Sequence, residues 1–201
     1  TTTKLAPSFE PAFFNLGLTN RRLGDNRSAL SAFRGATRVK KDYTRAYIEI
    51  ARILAGSGDL DGATQNYKTA LGYEPAHVQA LRELAAVYST SGDFVSAERY
   101  FNEALTLGSD DGRTNYNMAT VQIELGKNAQ ALDYAKKAVA ADPRNPVFLY
   151  TYGLAGERNN MPDVAIQQYA RSIAADPKYV KPRINLGIMY LDAKRLNDAL
   201  N

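Results

Sequence analysis

Side chains suited to molecular recognition recur in this sequence at a fixed spacing of 34 residues. One series reads Phe14, Ile48, Arg82, Tyr116, Tyr150 and Ile184, an apolar and aromatic stripe interrupted by one arginine. One residue further on stand Asn15, Glu49, Glu83, Asn117, Thr151 and Asn185. An asparagine amide can donate to a backbone C=O and accept from a backbone N–H, which suits it to holding an extended chain. Four residues after the stripe come Leu18, Arg52, Ala86, Thr120, Leu154 and Ile188. Arg52 and Arg82 offer planar donor forks to an acidic side chain or a terminal carboxylate. An apolar floor with a few polar fixers is the usual makeup of a binding groove.

Catalytic chemistry is poorly supplied. There is no cysteine, which removes thiol nucleophiles and Cys-ligated metals, and His77 is the sole histidine. Without a histidine partner it makes neither a zinc site nor a triad. Asp59-Leu60-Asp61-Gly62 faintly resembles a calcium loop but lacks the third acid and the closing Glu. A turn followed by a helix cap explains it better. No glycine loop that would cradle phosphate is present. The sequence therefore gives no catalytic, metal or cofactor-binding residue, and an enzyme is not expected.

The elements that must carry the recognition residues follow from the same period. Ala29, Ala63, Ala97, Ala131, Ala165 and Ala199 are each 34 residues apart. Seven residues after each of the first five stand Ala36, Ala70, Ala104, Ala138 and Ser172. Gly17, Ala51, Ala85, Ala119, Gly153 and Gly187 form a column of small residues, and Phe33, Tyr67, Phe101, Ala135 and Tyr169 a mostly aromatic one. Within each period, apolar residues recur at three- and four-residue steps in two stretches, which predicts two amphipathic helices. Gly24-Asp25, Gly58-Asp59 and Gly92-Asp93 supply a turn residue and an N-cap between them. A helix pair this short cannot bury its own apolar face, so neighbours must stack. The predicted fold is all-α, a solenoid of stacked helix-turn-helix units.

These columns resemble the tetratricopeptide repeat family, and the resemblance implies a right-handed α-solenoid. Phe13-Phe14-Asn15-Leu16-Gly17, Ala29, Phe33 and Ala36 match its pattern in the first unit, and Tyr47, Ala51, Ala63, Tyr67, Ala70 and Pro75 in the second. The units read as 10–43, 44–77, 78–111, 112–145, 146–179 and an incomplete 180–201. Residues 1–9 are either a leader or the tail of a preceding unit, since Leu5-Ala6-Pro7 falls where Tyr73-Glu74-Pro75 does. The incomplete last unit reads as a fragment of a longer protein. The fourth unit departs most from the pattern, with Asn115, Gln122 and Ala135 at positions that favour bulky or aromatic residues. The junction before it, Gly108 to Gly112, lacks the Asp-Pro stop, so a flexible joint is expected there.

The resemblance implies that the first helix of each unit lines a concave face. The expected partner-binding residues are then Phe14, Asn15, Ile48, Arg52, Arg82, Tyr116, Asn117, Tyr150 and Asn185. Against this, some of them could pack on the adjoining unit, with Arg82 pairing Glu49 or Glu83. The implied function is a non-catalytic scaffold for a peptide segment or partner domain. A self-assembly module, or the recognition arm of a larger enzyme, stands as the alternative. Chaperone-adaptor relatives use a Lys–Asn carboxylate clamp, and Phe14 with Leu18, or Tyr116 with Thr120, replaces it here. A chaperone's acidic tail is therefore not the expected ligand.

Charge is uneven. Residues 1–45 hold nine Lys or Arg against Glu10, Asp25 and Asp42, so this stretch carries +6 of a net +4 and the remainder −2. Arg27, Arg34, Arg38 and Lys41 recur at helical spacing on the first unit's second helix, away from the groove. No aromatic interleaving accompanies them, so nucleic acid is not expected. Membrane contact is open only through this basic unit. With 45% hydrophobic residues and no apolar run of about 18, the chain reads as soluble and non-spanning. The compartment, cytoplasm or periplasm, stays open.

Overall fold

A computed structural model describes residues 10–192. Expectations that fall on residues 1–9 and 193–201, including Ala199 and the close of the last unit, lie outside them. Among the described residues the structure is all-α: α1 Glu10–Arg22, α2 Asn26–Val39, α3 Thr44–Gly56, α4 Leu60–Tyr73, α5 Val78–Thr90, α6 Phe94–Thr106, α7 Gly112–Glu124, α8 Asn128–Ala141, α9 Pro146–Arg158, α10 Pro162–Ala175 and α11 Lys181–Asp192. This is the expected solenoid class of helix-turn-helix repeats. The chain divides into two compact units, residues 1–107 and 108–201. The division falls at the start of the Gly108–Gly112 junction. No described helix is long and apolar enough to cross a membrane.

Local chemistry sets many of the helix boundaries. Gly24, Gly58, Gly92 and Gly126 take φ of +80°, +87°, +82° and +70°, a left-handed backbone that ends the first helix of a pair at little cost for glycine. Asn160 fills the same column in the fifth pair with φ 55°, tolerated because asparagine is the side chain best suited to this region. The following acid then caps the second helix. Asp25 accepts from the Ser28 N–H at 2.9 Å, Asp59 from Gly62 at 2.8 Å and Asp93 from Ser96 at 3.0 Å. Pro146 and Pro162 sit at first helical turns, where the missing N–H costs nothing.

Small residues let the paired helices touch. A Cβ on Gly17 would lie 2.5 Å from the Phe33 ring, and one on Gly153 would lie 2.6 Å from the Tyr169 ring. Each aromatic of the second helix therefore rests directly on the backbone of the first. In the first compact unit, Phe14, Ala29, Phe33, Ala36, Ala46, Ile50 and Ile53 form one core cluster. Ile48, Ala51, Ala63, Tyr67, Ala70, Ala80, Leu84 and Val87 form the next. Both clusters draw on two consecutive pairs, so the core is a row of seams between pairs as much as a filling within them.

The second compact unit has its own version. Ala119, Ala131, Leu132, Ala135 and Ala155 form a cluster in which Ala135 stands where an aromatic would. Asn115 and Gln122 are buried on α7 at 2% and 1% exposure. The Asn115 amide donates to Asp110 Oδ1 at 2.7 Å and to the Asp111 C=O at 3.0 Å. Buried polar groups on α7 thus replace part of the apolar contact that its repeat position makes elsewhere.

Candidate functional site

The recognition columns lie on the first helices of the pairs: α1, α3 and α5 in the first compact unit, α7, α9 and α11 in the second. In the first unit, Phe14 and Ile48 are each 4% exposed. Phe14 packs against Phe33 at 5.4 Å and edge-on to Tyr43 at 5.3 Å, with the Arg45 guanidinium 5.0 Å above its ring. Ile48 belongs to the cluster shared with Ala80 and Leu84 of α5. Both side chains close the seam to the following pair and form the floor beneath the face. Asn15 is exposed, and Arg52 and Arg82 are half-buried.

Arg52 stands in the middle of a charge ladder that links the three first helices. Its Nη1 donates to Glu49 Oε1 at 2.6 Å. Its Nη2 and Nε donate to the two oxygens of Glu83 at 2.7 and 2.8 Å, a bidentate fork between α3 and α5. Arg21 of α1 pairs with the other oxygen of Glu49. Glu83 also accepts from the Tyr67 hydroxyl at 2.9 Å and from Gln79 Nε2 at 3.0 Å. The order Arg21, Glu49, Arg52, Glu83 alternates in sign, so each charge is compensated by its neighbours.

The ladder sets its members' ionisation. Burial pushes the Glu83 carboxyl up, but the Arg52 hydrogen bonds and charge outweigh it, helped by Tyr67 and Gln79. The net shift is below the ordinary 4.5. Hydrogen bonding to Glu83 holds the Arg52 guanidinium more firmly protonated still. Burial, and then the Glu83 charge, push the Tyr67 phenol well above 10.0.

The second unit is built differently. Tyr116 stacks on Phe148 with ring centroids 5.4 Å apart, and both rings keep partial exposure. Tyr150 lies 5.7 Å from Tyr169 and meets Tyr179 edge-on at 5.6 Å. Asn185 Nδ2 donates to the Tyr169 hydroxyl at 3.0 Å, and that hydroxyl donates to Glu157 Oε2 at 2.7 Å. Burial is the main reason that Tyr150 and Tyr169 titrate above their ordinary range and that Tyr179 is pushed up to about 12. Tyr116, Asn117, Tyr150 and Asn185 are all half-buried, which leaves each some surface.

Sequence reasoning missed the partners of Arg52. From the sequence, Glu49 and Glu83 are weighed as partners of Arg82, whereas the structure pairs both with Arg52. Their signal is the offset: Glu83 is 31 residues after Arg52, one period less a helical turn, and Glu49 is 28 after Arg21. On neighbouring parallel helices such an offset brings side chains face to face. His77 also acquires a role, since its Nδ1 accepts the Ala80 N–H at 3.2 Å and caps α5. The described residues contain no group of three or more acids and histidines placed to hold a metal.

The pattern of the tetratricopeptide repeat matches residues 14–65, 48–112 and 116–180. The chain belongs to that family, whose members serve generally as scaffolds for protein–protein interaction. Among curated proteins it is 23% identical over 218 residues to the human protein O-mannosyl-transferase TMTC3, covering 98% of this chain. It spans 24% of that relative's length. Among solved structures it is similar to YrrB, described as a tetratricopeptide repeat protein with an unusual peptide-binding site. That likeness has 26% identity and a TM-score of 0.74 over 86% of this chain and 89% of YrrB. Pseudomonas aeruginosa pilF shares the fold with a TM-score of 0.79 and 19% identity, over 94% of this chain and 86% of that one.

Proposed function

We propose that this chain is a non-catalytic scaffold that binds polypeptide segments on the first-helix faces of its repeats. The observation that carries the proposal is the set Tyr116, Asn117, Tyr150 and Asn185 on α7, α9 and α11. Repeat register puts them on one face, each partly exposed, with aromatic surface beside amide donors and acceptors. Aromatic side chains give large contact area for little conformational entropy, and amides fix the direction of a bound backbone. The peptide-binding site named for YrrB supports the same use of the fold.

In the first compact unit the proposed contacts are Asn15, Arg52 and Arg82. Phe14 and Ile48 act from beneath, by holding the seams. Arg52 is committed to Glu49 and Glu83, so a ligand carboxylate must compete with two built-in ones. That favours ligands that bind through apolar and backbone contacts over ligands that bind through an acidic tail. The test is binding of a selected peptide to the wild type, to Tyr116→Ala and to Arg82→Glu. Loss of affinity in the variants supports the reading, and unchanged affinity in both refutes it.

A second reading treats these repeats as the recognition arm of a larger enzyme. The similarity to a transferase along 98% of this chain favours it. The natural full-length sequence decides this: a catalytic domain beside the repeats supports the reading, and a polypeptide of repeats alone refutes it.

A further inference from the structure

The outward face of α2 differs from the other second helices. It carries Arg27, Arg34 and Arg38 and no acid. In contrast, α4 has Asp61 with Lys68, α6 has Glu98 and Glu103 with Arg99, α8 has Asp133 with Lys136 and Lys137, and α10 has Asp163 with Arg171. The opposite face of α2, with Ala29, Ala32, Phe33 and Ala36, is buried, so the three arginines project outward. Together with Leu30, Ser31 and Thr37 they line a shallow cleft of about 640 Å³.

Two acids flank the stripe without matching its charge: Asp25, whose carboxylate acts on Arg27, and the exposed Asp42 just beyond Lys41. The ion pairs found among the described residues use Arg21 and Arg52 instead. α2 packs against α1 and α3. Of the acids on those helices, Glu49 is taken by Arg21 and Arg52, and Glu10 lies in the first turn of α1. Asp25 is engaged as the cap of α2. Lys40 and Lys41, both exposed, extend the positive surface beyond the helix end.

We propose that this face is a second docking surface, separate from the first-helix faces, for an acidic polypeptide segment. A helical rise separates Arg34 from Arg38 by about 6 Å along the axis. Carboxylates at alternate residues of an extended strand repeat every 6.6 to 6.8 Å or thereabouts, about the same step. Arg27 lies about 10 Å in the other direction, within reach of a further acid on the same strand. Guanidinium forks take carboxylates in bidentate geometry, and the Ser31 hydroxyl lies between the cations. Leu30, half-buried, gives the cleft an apolar floor. A bilayer fits less well, because the exposed large apolar side chains beside the stripe, Leu23 and Val39, stand beyond its two ends and not among the arginines.

The test uses the full chain and a fluorescein-labelled peptide of alternating Glu and Ala, read by fluorescence anisotropy at low salt. A peptide of alternating Lys and Ala is the control. Vesicles of pure phosphatidylcholine, with and without phosphatidylserine, form a separate arm. The expected result is saturable binding of the Glu peptide alone. Arg34→Ala with Arg38→Ala should weaken it by about tenfold, since two partly exposed ion pairs at ~0.7 kcal/mol each amount to one decade. Arg27→Gln should weaken it less, and Tyr116→Ala and the exposed control Arg113→Ala should not. Because Tyr116→Ala reports on the first-helix face, failure there and failure here are distinguishable. The proposal is overturned if the Glu peptide does not saturate, if the double variant binds as tightly as the wild type, or if phosphatidylserine vesicles capture the chain while the peptide does not.

Discussion

Replacing Arg52 with Met keeps the length and apolar stem of the side chain and removes only the guanidinium. Three charge-assisted hydrogen bonds disappear: one to Glu49 and two to Glu83. Glu49 keeps Arg21, and Glu83 keeps the neutral donors Tyr67 and Gln79. Removing one partner of a fully buried ion pair costs about 3 to 5 kcal/mol, and an exposed pair about 0 to 1. The side chains of Arg52 and Glu83 are 27% and 28% exposed, which places this pair between those limits. The expected loss is about 2 kcal/mol at pH 7.

The loss must also depend on pH. In the wild type the Glu83 carboxyl is held below 4.5. Its stabilising contribution is therefore present above that value and fades as pH falls through the folded-state value. Once Glu83 is protonated, wild type and variant lack the same interaction, so the difference between them shrinks. Urea unfolding followed by helical circular dichroism at pH 7 and at pH 3.5 reads the two values. Hydrogen exchange of peptides from α3 and α5 reports whether the weakening lies at this seam. A difference as large at pH 3.5 as at pH 7, or none at pH 7, would refute the argument that an ion ladder joins these helices.

The close approach at Gly153 predicts that Gly153→Val forces the buried Tyr169 ring aside and costs about 1 to 3 kcal/mol, seen as a lower urea midpoint. In contrast, a Cβ on Gly72 in α4 meets nothing within 4 Å, so Gly72→Ala should raise stability by about 0.5 to 1 kcal/mol in the same assay. Asp59→Ala removes the cap of α4 and should cost about 1 kcal/mol, with faster amide exchange confined to the first turn of that helix. Tyr67, Tyr169 and Tyr179 hold their protons above 10.0 in the folded chain. Their stabilising contribution is complete below that value and falls as pH rises further, by about 1.4 kcal/mol per pH unit for each tyrosine still protonated only when folded. Phenolate absorbance at 295 nm should rise in step with alkaline unfolding, and unfolding without that coupling would contradict the assignment.

Most of the fold was legible because a 34-residue period leaves its constraints in columns. Small residues at Gly17 and Gly153 meet Phe33 and Tyr169, glycines end first helices, and Asp25, Asp59 and Asp93 start second ones. Each column has one dominant physical cause, so the residue type reveals it. The candidate face was less legible. Phe14 and Ile48 share a column with Tyr116 and Tyr150, yet the first two are 4% exposed while the tyrosines keep partial exposure. A single repeat position serves both the seam and the surface, and its balance depends on neighbours one period away. The charge ladder was hidden for a related reason: Arg52 reads as a ligand contact until Glu49 and Glu83 are placed beside it. At Asn115 and Ala135 the departures from the pattern were visible, but what surrounds Asn115, with Asp110 and Asp111 as its acceptors, needed the three-dimensional structure.

The first-helix faces are the proposed place where a polypeptide binds. The most direct test is selection of displayed random peptides on the wild-type chain, followed by measurement of the selected peptides on Tyr116→Ala combined with Asn117→Ala. The expected outcome is a set of selected sequences rich in apolar residues that bind the wild type saturably and lose at least about tenfold in affinity on the double variant. Peptides that bind both proteins equally well, or a selection that yields no saturable binder, would contradict it.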